Sequence, residues 1–215
     1  MRESPRIRRL RTDLKALEQL REESSIIEFE VARTTHDAPP ESYSITFRGN
    51  GLWRADSSSD VFVREQHIVH IHLGAAYPRM MPELAWKTPI FHPNISGSGV
   101  VCLGGYGTHW VPSLNLDELC GMLWDMIRYQ NYDVESPYNR EAALWAKTQR
   151  SLRLPVDDRP IRDRIAGVAP TIQESARPPI TAVPVKEPDV LFIDGEEVVE
   201  AEVVESSSED ILFID

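Results

Sequence analysis

The chain has 215 residues, of which 41% are apolar, enough for one packed domain of ordinary size with further segments beside it. No apolar run is long enough to span a bilayer. Met1-Arg2-Glu3-Ser4-Pro5-Arg6 lacks the apolar stretch of a signal peptide, so the expectation is a soluble, cytoplasmic protein without a membrane partner. The net charge of -11 is uneven, with 12 acidic and 2 basic residues from Ala169 onward against 22 and 21 before it; a nearly neutral folded part speaks against nucleic acid as a partner.

Ser4-Pro5 reads as a helix start, with the serine capping and the proline at the first helical position. Ile7, Leu10, Leu14, Leu17 and Leu20 follow at three- and four-residue spacing, the apolar stripe of an amphipathic helix. Its other positions carry Arg2, Arg6, Arg8, Arg9, Arg11 and Lys15, either a solvated face or a docking surface for an acidic partner. Alternating runs then predict strands at Ile26–Val31 and Tyr43–Phe47, a turn at Gly49-Asn50-Gly51, and further strands at His67–Leu73 and Glu83–Lys87. From Ile90 to Pro112 several glycines and prolines and little periodicity predict a long irregular loop, the kind that often carries function. Helical spacing returns over Leu114–Tyr129 and again over Asn139–Leu152. The predicted class is α+β: an N-terminal helix, a four-stranded antiparallel sheet, a long irregular loop and C-terminal helices.

Beyond about Pro170 the prolines break any helix, core-forming positions are few and acidic charge is high, so residues 169–215 are expected to be a disordered tail and residues 1–168 the folded domain. The tail repeats a short motif, Asp189-Val190-Leu191-Phe192-Ile193-Asp194 and Asp210-Ile211-Leu212-Phe213-Ile214-Asp215, 21 residues apart. Two copies are too few for a solenoid.

The chemistry concentrates in the loop. His92-Pro93-Asn94 precedes Cys102 by eight positions from the asparagine, and Trp110-Val111-Pro112 begins eight positions after the cysteine. With the basic N-terminal helix, the four strands, Tyr77-Pro78, the later Pro82 and Ser136-Pro137-Tyr138-Asn139, this order resembles the catalytic domain of ubiquitin-conjugating enzymes over residues ~5–165. The resemblance implies that Cys102 carries a ubiquitin-like protein as a thioester, received from an activating enzyme. A free thiol has a pKa of about 8.5, so roughly a few per cent is thiolate at neutral pH; that suffices for exchange with another thioester. Cys120, amid Leu119 and Leu123, reads as a buried small apolar residue. Two cysteines make no disulfide framework and have no close metal-ligand partners, so neither a metal nor another cofactor is expected.

By the same resemblance Asn94 either stabilises the oxyanion formed when an amine attacks the thioester or holds the active-site loop. His92 and Pro93, counted with the binding residues, shape that loop. Ser136 takes the place of the family's gate residue, which helps an acceptor lysine of ordinary pKa about 10.4 to lose its proton; Ser136-Pro137 is equally a good helix cap. Ligase docking maps to Arg79 and Met80, to Trp110 and Pro112, and to the first helix with Arg8 and Arg11. Arg79 stands where members that engage RING-type ligases often have an aromatic residue, and Gly104-Gly105-Tyr106-Gly107 is richer in glycine than the family's loop. These departures mark a divergent member, pointing weakly to a pathway remote from ordinary ubiquitin, prokaryotic ones included. The tail motifs resemble segments that bind SUMO-like proteins by adding a strand; they equally fit strands that pack on their own chain. Two rivals remain open at this level: a thiol hydrolase using Cys102, a histidine such as His109 and Asn94, and a non-catalytic adaptor on the same fold. His70 and His72 share one face of the third strand and lack further metal ligands nearby.

Overall fold

The structure, a computed structural model, describes residues 3–32, 38–57, 60–103 and 110–166. Two units divide the chain, Met1–Ile172 and Gln173–Asp215; the second, with both repeats, lies outside the described residues, as do the glycine-rich run after Cys102 and His109.

Helix α1 (Pro5–Glu23) begins as its sequence requires. Ser4 accepts a hydrogen bond from the Ile7 N–H, and Pro5, lacking an N–H, fills the first turn. The buried stripe is Leu10, Asp13, Leu17 and Leu20. An aspartate thus sits inside an otherwise apolar row, and it proves to organise the far end of the molecule.

Four antiparallel strands follow in the order β1 (Ile27–Val31), β2 (Ser42–Trp53), β3 (Phe62–His72) and β4 (Glu83–Trp86). Alternation turns Tyr43, Ile45 and Phe47 of β2 and Val69 and Ile71 of β3 into the core, each fully buried Ile or Phe contributing about 1.5–3 kcal/mol. One expectation fails here. Gly49-Asn50-Gly51 is no turn: β2 runs through it with a register irregularity against β3 between Arg48 and Gly51. Those glycines answer to packing, since a Cβ on Gly51 would lie 2.6 Å from the His67 ring and one on Gly49 2.4 Å from Trp124. The turn comes after Trp53, so β3 starts at Phe62, five residues before the apolar run that announced it.

Helix α2 (Leu116–Ile127) packs across the sheet, and Trp124 stacks on Phe47 with ring centroids 6.4 Å apart. Its first turn is capped twice. The Glu118 carboxylate accepts from the Asn115 N–H at 2.7 Å, and Asp13 of α1 accepts from the Leu116 N–H at 3.2 Å. Helix α3 (Arg140–Thr148) starts at Asn139, whose side chain accepts from the Ala142 N–H; Ser136-Pro137 lies upstream and is not its cap. Beyond α3 the chain returns along the domain without a further helix among the described residues. The Trp124 indole donates to the Arg159 carbonyl, and the Asp163 carboxylate accepts the N–H and hydroxyl of Ser25.

The stretch expected to be an irregular loop contains a small antiparallel hairpin. Ile95 pairs with Val101, and Val100 pairs with Ala85 at the edge of β4. Gly99 makes the turn possible with φ +86°, and a Cβ there would stand 2.3 Å from the Trp86 carbonyl.

Candidate active site

The hairpin sets the backbones of Asn94 and Cys102 opposite each other. The Cys102 N–H donates to the Asn94 carbonyl at 2.9 Å, and the Ser96 N–H to the Val100 carbonyl at 2.9 Å. Val101 and Leu103 are buried, so strand alternation turns the half-exposed Cys102 thiol outward. Cys120 is the reverse case: it is sealed in α2, and burial pushes its thiol far above the ordinary range. Only Cys102 is open to a partner.

The Asn94 carboxamide is clamped. Its Nδ2 donates to the Asp133 carbonyl at 2.9 Å, and its Oδ1 accepts from the Asp133 N–H at 2.7 Å. The Asp133 carboxylate in turn accepts from the Glu135 N–H at 2.7 Å, an Asx-type turn that shapes the segment leading to Ser136. One residue earlier, the Pro93 carbonyl accepts from both the Tyr138 and Asn139 N–H groups at 2.9 Å. The His92–Asn94 triplet is thereby zipped to the segment before α3. Ser136 lies exposed on that segment, next to Glu135, which pairs with Lys147 at 2.8 Å.

His92 and Pro93 are buried, so neither meets a partner directly; they shape the loop. The His92 Nδ1 accepts from the Asn94 N–H at 3.1 Å, and burial lowers the imidazole pKa to about 3. A ring that stays neutral and sealed does not serve as a general base at neutral pH. It stands edge-on to the Tyr129 ring at 4.9 Å. Tyr129 follows the end of α2 with φ +59°, a left-handed conformation that costs a non-glycine residue on the order of 1 kcal/mol. It is buried, its hydroxyl donates to the Phe91 carbonyl, and its ring also meets Trp145 and Tyr132. Burial raises its pKa well above the ordinary value, so the hydroxyl remains a donor.

At the other end of the hairpin, Arg9 of α1 ties two loops together. It donates to Asp13 at 2.8 Å, to the Tyr77 hydroxyl at 2.9 Å and to the carbonyls of Pro112 and Leu114. The Tyr77 hydroxyl donates to Asp13 at 2.7 Å, and the Trp110 indole donates to the Pro78 carbonyl at 2.8 Å. Trp110 is therefore a half-buried anchor joining the loop after Tyr77-Pro78 to the loop after Cys102. Around it Arg79, Met80, Val111 and Pro112 are exposed, Met80 by 66%. The basic helix face divides in two. Arg6 and Arg9 are taken up internally, Arg6 by Glu41 and the carbonyls of Leu73 and Gly74. Arg8 and Arg11 face outward, Arg11 paired with Glu3.

His70 and His72 lie on the outer face of β3, the His72 Nδ1 2.8 Å from the Ser42 hydroxyl. Among the described residues no group of three His, Cys, Asp or Glu is placed to hold a metal ion, and no helix is long and apolar enough to cross a membrane. Two organising residues went unremarked in the sequence. Asp13 left a signal, an acid between Leu10 and Leu17 on the buried stripe. Tyr129 left none, because a left-handed tyrosine is not announced by its neighbours. Asp133 reads in the sequence only as an acid near Ser136, not as the residue that clamps Asn94.

Comparison with known proteins bears on this geometry. Residues 55–153 match the family model described as ubiquitin-conjugating enzyme. Ubiquitin-conjugating enzyme E2 16 of Schizosaccharomyces pombe is 37% identical over 84 residues, 39% of this chain and 51% of that protein. A probable NEDD8-conjugating enzyme, Ubc12-like, of Arabidopsis thaliana is 39% identical over 67 residues, 31% of this chain and 35% of that protein. The chain thus spans about half of the first relative and about a third of the second. Among solved structures, S. cerevisiae Ubc12 superposes with a TM-score of 0.51 at 22% identity, covering 70% of this chain and 75% of that one, a likeness of fold.

Proposed function

We propose that this chain, a divergent UBC-like member of the ubiquitin-conjugating enzyme family, receives a ubiquitin-like modifier as a thioester on Cys102 and delivers it to an amine or a thiol. The observation that carries the reading is the half-exposed Cys102 paired across a hairpin with Asn94, while Cys120 is sealed. The activating enzyme's thioester is attacked by the Cys102 thiolate; the new C–S bond forms as the old one breaks, so loading is nearly balanced in energy. An acceptor amine then adds to the carbonyl carbon and loses its proton. The C–S bond cleaves, and Cys102 leaves as thiolate.

Asn94 acts in two ways. Its carboxamide, on a residue only 2% exposed, holds the loop through Asp133; the second Nδ2 hydrogen is the donor this reading assigns to the oxyanion as the site opens to its acceptor, a donor whose loss costs on the order of 10²–10³ in rate. Ser136, exposed beside the clamp, takes the gate role by accepting a hydrogen bond from the incoming amine. Ligase docking falls to the exposed Arg79, Met80 and Pro112 around the Trp110 anchor, with Arg8 and Arg11 of α1 beside an acidic partner surface. The hydrolase alternative loses ground because, among the described residues, the Asn94 carboxamide is engaged by the Asp133 backbone, which suits a loop-holding role.

The deciding experiment is incubation with ATP and with ubiquitin, NEDD8 and their activating enzymes in turn, followed by the native host's own modifier system. A reductant-sensitive adduct that disappears in Cys102→Ala is expected. No adduct in any of these systems, or one that survives the substitution, would overturn the proposal.

A further inference from the structure

We propose that Tyr129 is a positioning residue of this site: its hydroxyl bond to the Phe91 carbonyl holds the 91–94 loop so that the Asn94 carboxamide keeps the orientation used in acyl transfer. This rests on the thioester reading above. The support is the unbroken series of ties between Tyr129 and the thiol. The Phe91 N–H donates to the Leu52 carbonyl at 2.7 Å, anchoring the loop's start to β2. The Phe91 carbonyl accepts from Tyr129, and the His92 ring lies against the same tyrosine. The Pro93 carbonyl is held by Tyr138 and Asn139, the Asn94 side chain by Asp133, and the Cys102 N–H by the Asn94 carbonyl. A displacement at Phe91 therefore passes along three peptide units to the residue that bears the carboxamide.

The residue type bears the same meaning. The site beside His92, Trp145 and Tyr132 is lined by rings, and a phenylalanine fills it equally well; the hydroxyl is needed only for the Phe91 carbonyl. The backbone there is left-handed at φ +59°, where glycine or asparagine is the ordinary choice at a helix end. A buried tyrosine held in that conformation by four neighbours places its hydroxyl with little freedom, and the effector of that placement is the loop that carries Asn94.

The test is Tyr129→Phe in the full chain, read in three ways. Loading of Cys102 should match the natural protein, because exchange of one thioester for another is nearly balanced in energy and depends less on an oxyanion donor than attack by an amine does. Single-turnover discharge of the charged enzyme to free lysine should slow by about tenfold, the order expected of a small misplacement of a working group. Discharge is followed on the charged fraction alone, so partial loss of folded protein does not enter the rate. Combined with Asn94→Ala, the substitution should add nothing to the slowing caused by Asn94→Ala itself. A merely structural role would lower loading and discharge together and would combine multiplicatively with Asn94→Ala; either result overturns the proposal, as does unaltered discharge. The uncharged protein offers a reading independent of any thioester. The Asn94 carboxamide proton signals should shift and exchange faster in Tyr129→Phe, and unmoved signals overturn the positioning role even if no modifier ever loads.

Discussion

Two clamps flank the Cys102 hairpin, and they work by opposite chemistry. On the side of α1, Arg9, Asp13 and Tyr77 form a buried ionic cluster, in which Asp13 is 0% exposed and serves Arg9, the Tyr77 hydroxyl and the Leu116 N–H at once. On the side of α3, Phe91, His92, Tyr129 and Trp145 form an aromatic cluster whose own side chains carry no charge, with the Arg54 guanidinium 4.4 Å over the Phe91 ring. The ionic clamp depends on a charge that must have its partner. The aromatic clamp depends on an imidazole that must stay uncharged. One loop of the site is therefore vulnerable to losing a counter-ion, the other to gaining a proton.

The largest expected effect breaks the ionic clamp. Asp13→Ala strands the Arg9 guanidinium and leaves two further donors without their acceptor. It should cost roughly 3–5 kcal/mol of stability, as breaking a buried pair does, measured by urea denaturation. A loss below about 1 kcal/mol would show that the cluster is not the clamp described.

Acid addresses the other side. The folded-state pKa of His92 is lowered to about 3 and that of His67, buried under Gly51, to about 4. Unfolded, each returns to about 6.5. The unfolded chain thus binds more protons below that value, so this stability is fully present above about pH 6.5 and is lost as pH falls toward 4 and 3. The slope is roughly 1.4 kcal/mol per pH unit for each imidazole. Denaturation midpoints taken at pH 7.5, 6 and 5 should decline accordingly, and a flat series would remove the distinction between the clamps.

The smallest effect separates capping from chemistry beside the aromatic clamp. Asn139→Ala should lower stability by about 1 kcal/mol, because Asn139 caps α3. Ser136→Ala should leave stability within about 0.5 kcal/mol while slowing discharge to lysine several-fold. Equal stability losses in the two variants would return the cap to Ser136.

Much of the fold was legible because its signals are local. The Ser4-Pro5 start and the leucine stripe announce α1, and alternation announces the inward faces of β2 and β3. The boundaries escaped wherever packing overrode local preference. Gly49 and Gly51 read as turn residues, yet they stand in a strand because Trp124 and His67 leave no room for a Cβ. Ser136-Pro137 read as a cap, yet the preceding segment is held by Asn94 and Pro93, which delays the helix to Asn139.

Order and spacing carried the family resemblance that groups Cys102, Asn94 and Trp110, and of these the structure pairs Cys102 with Asn94 across the hairpin while Trp110 bonds to the Pro78 carbonyl. Tertiary structure decided what each does there. It turned Cys102 outward and sealed Cys120, bound the Asn94 carboxamide to a backbone 39 residues away, withdrew His92 from solvent and drew Arg9 from the basic face into the core. Burial and long-range hydrogen bonds set those outcomes, and both depend on segments distant in the chain, whose approach no local pattern of residues encodes.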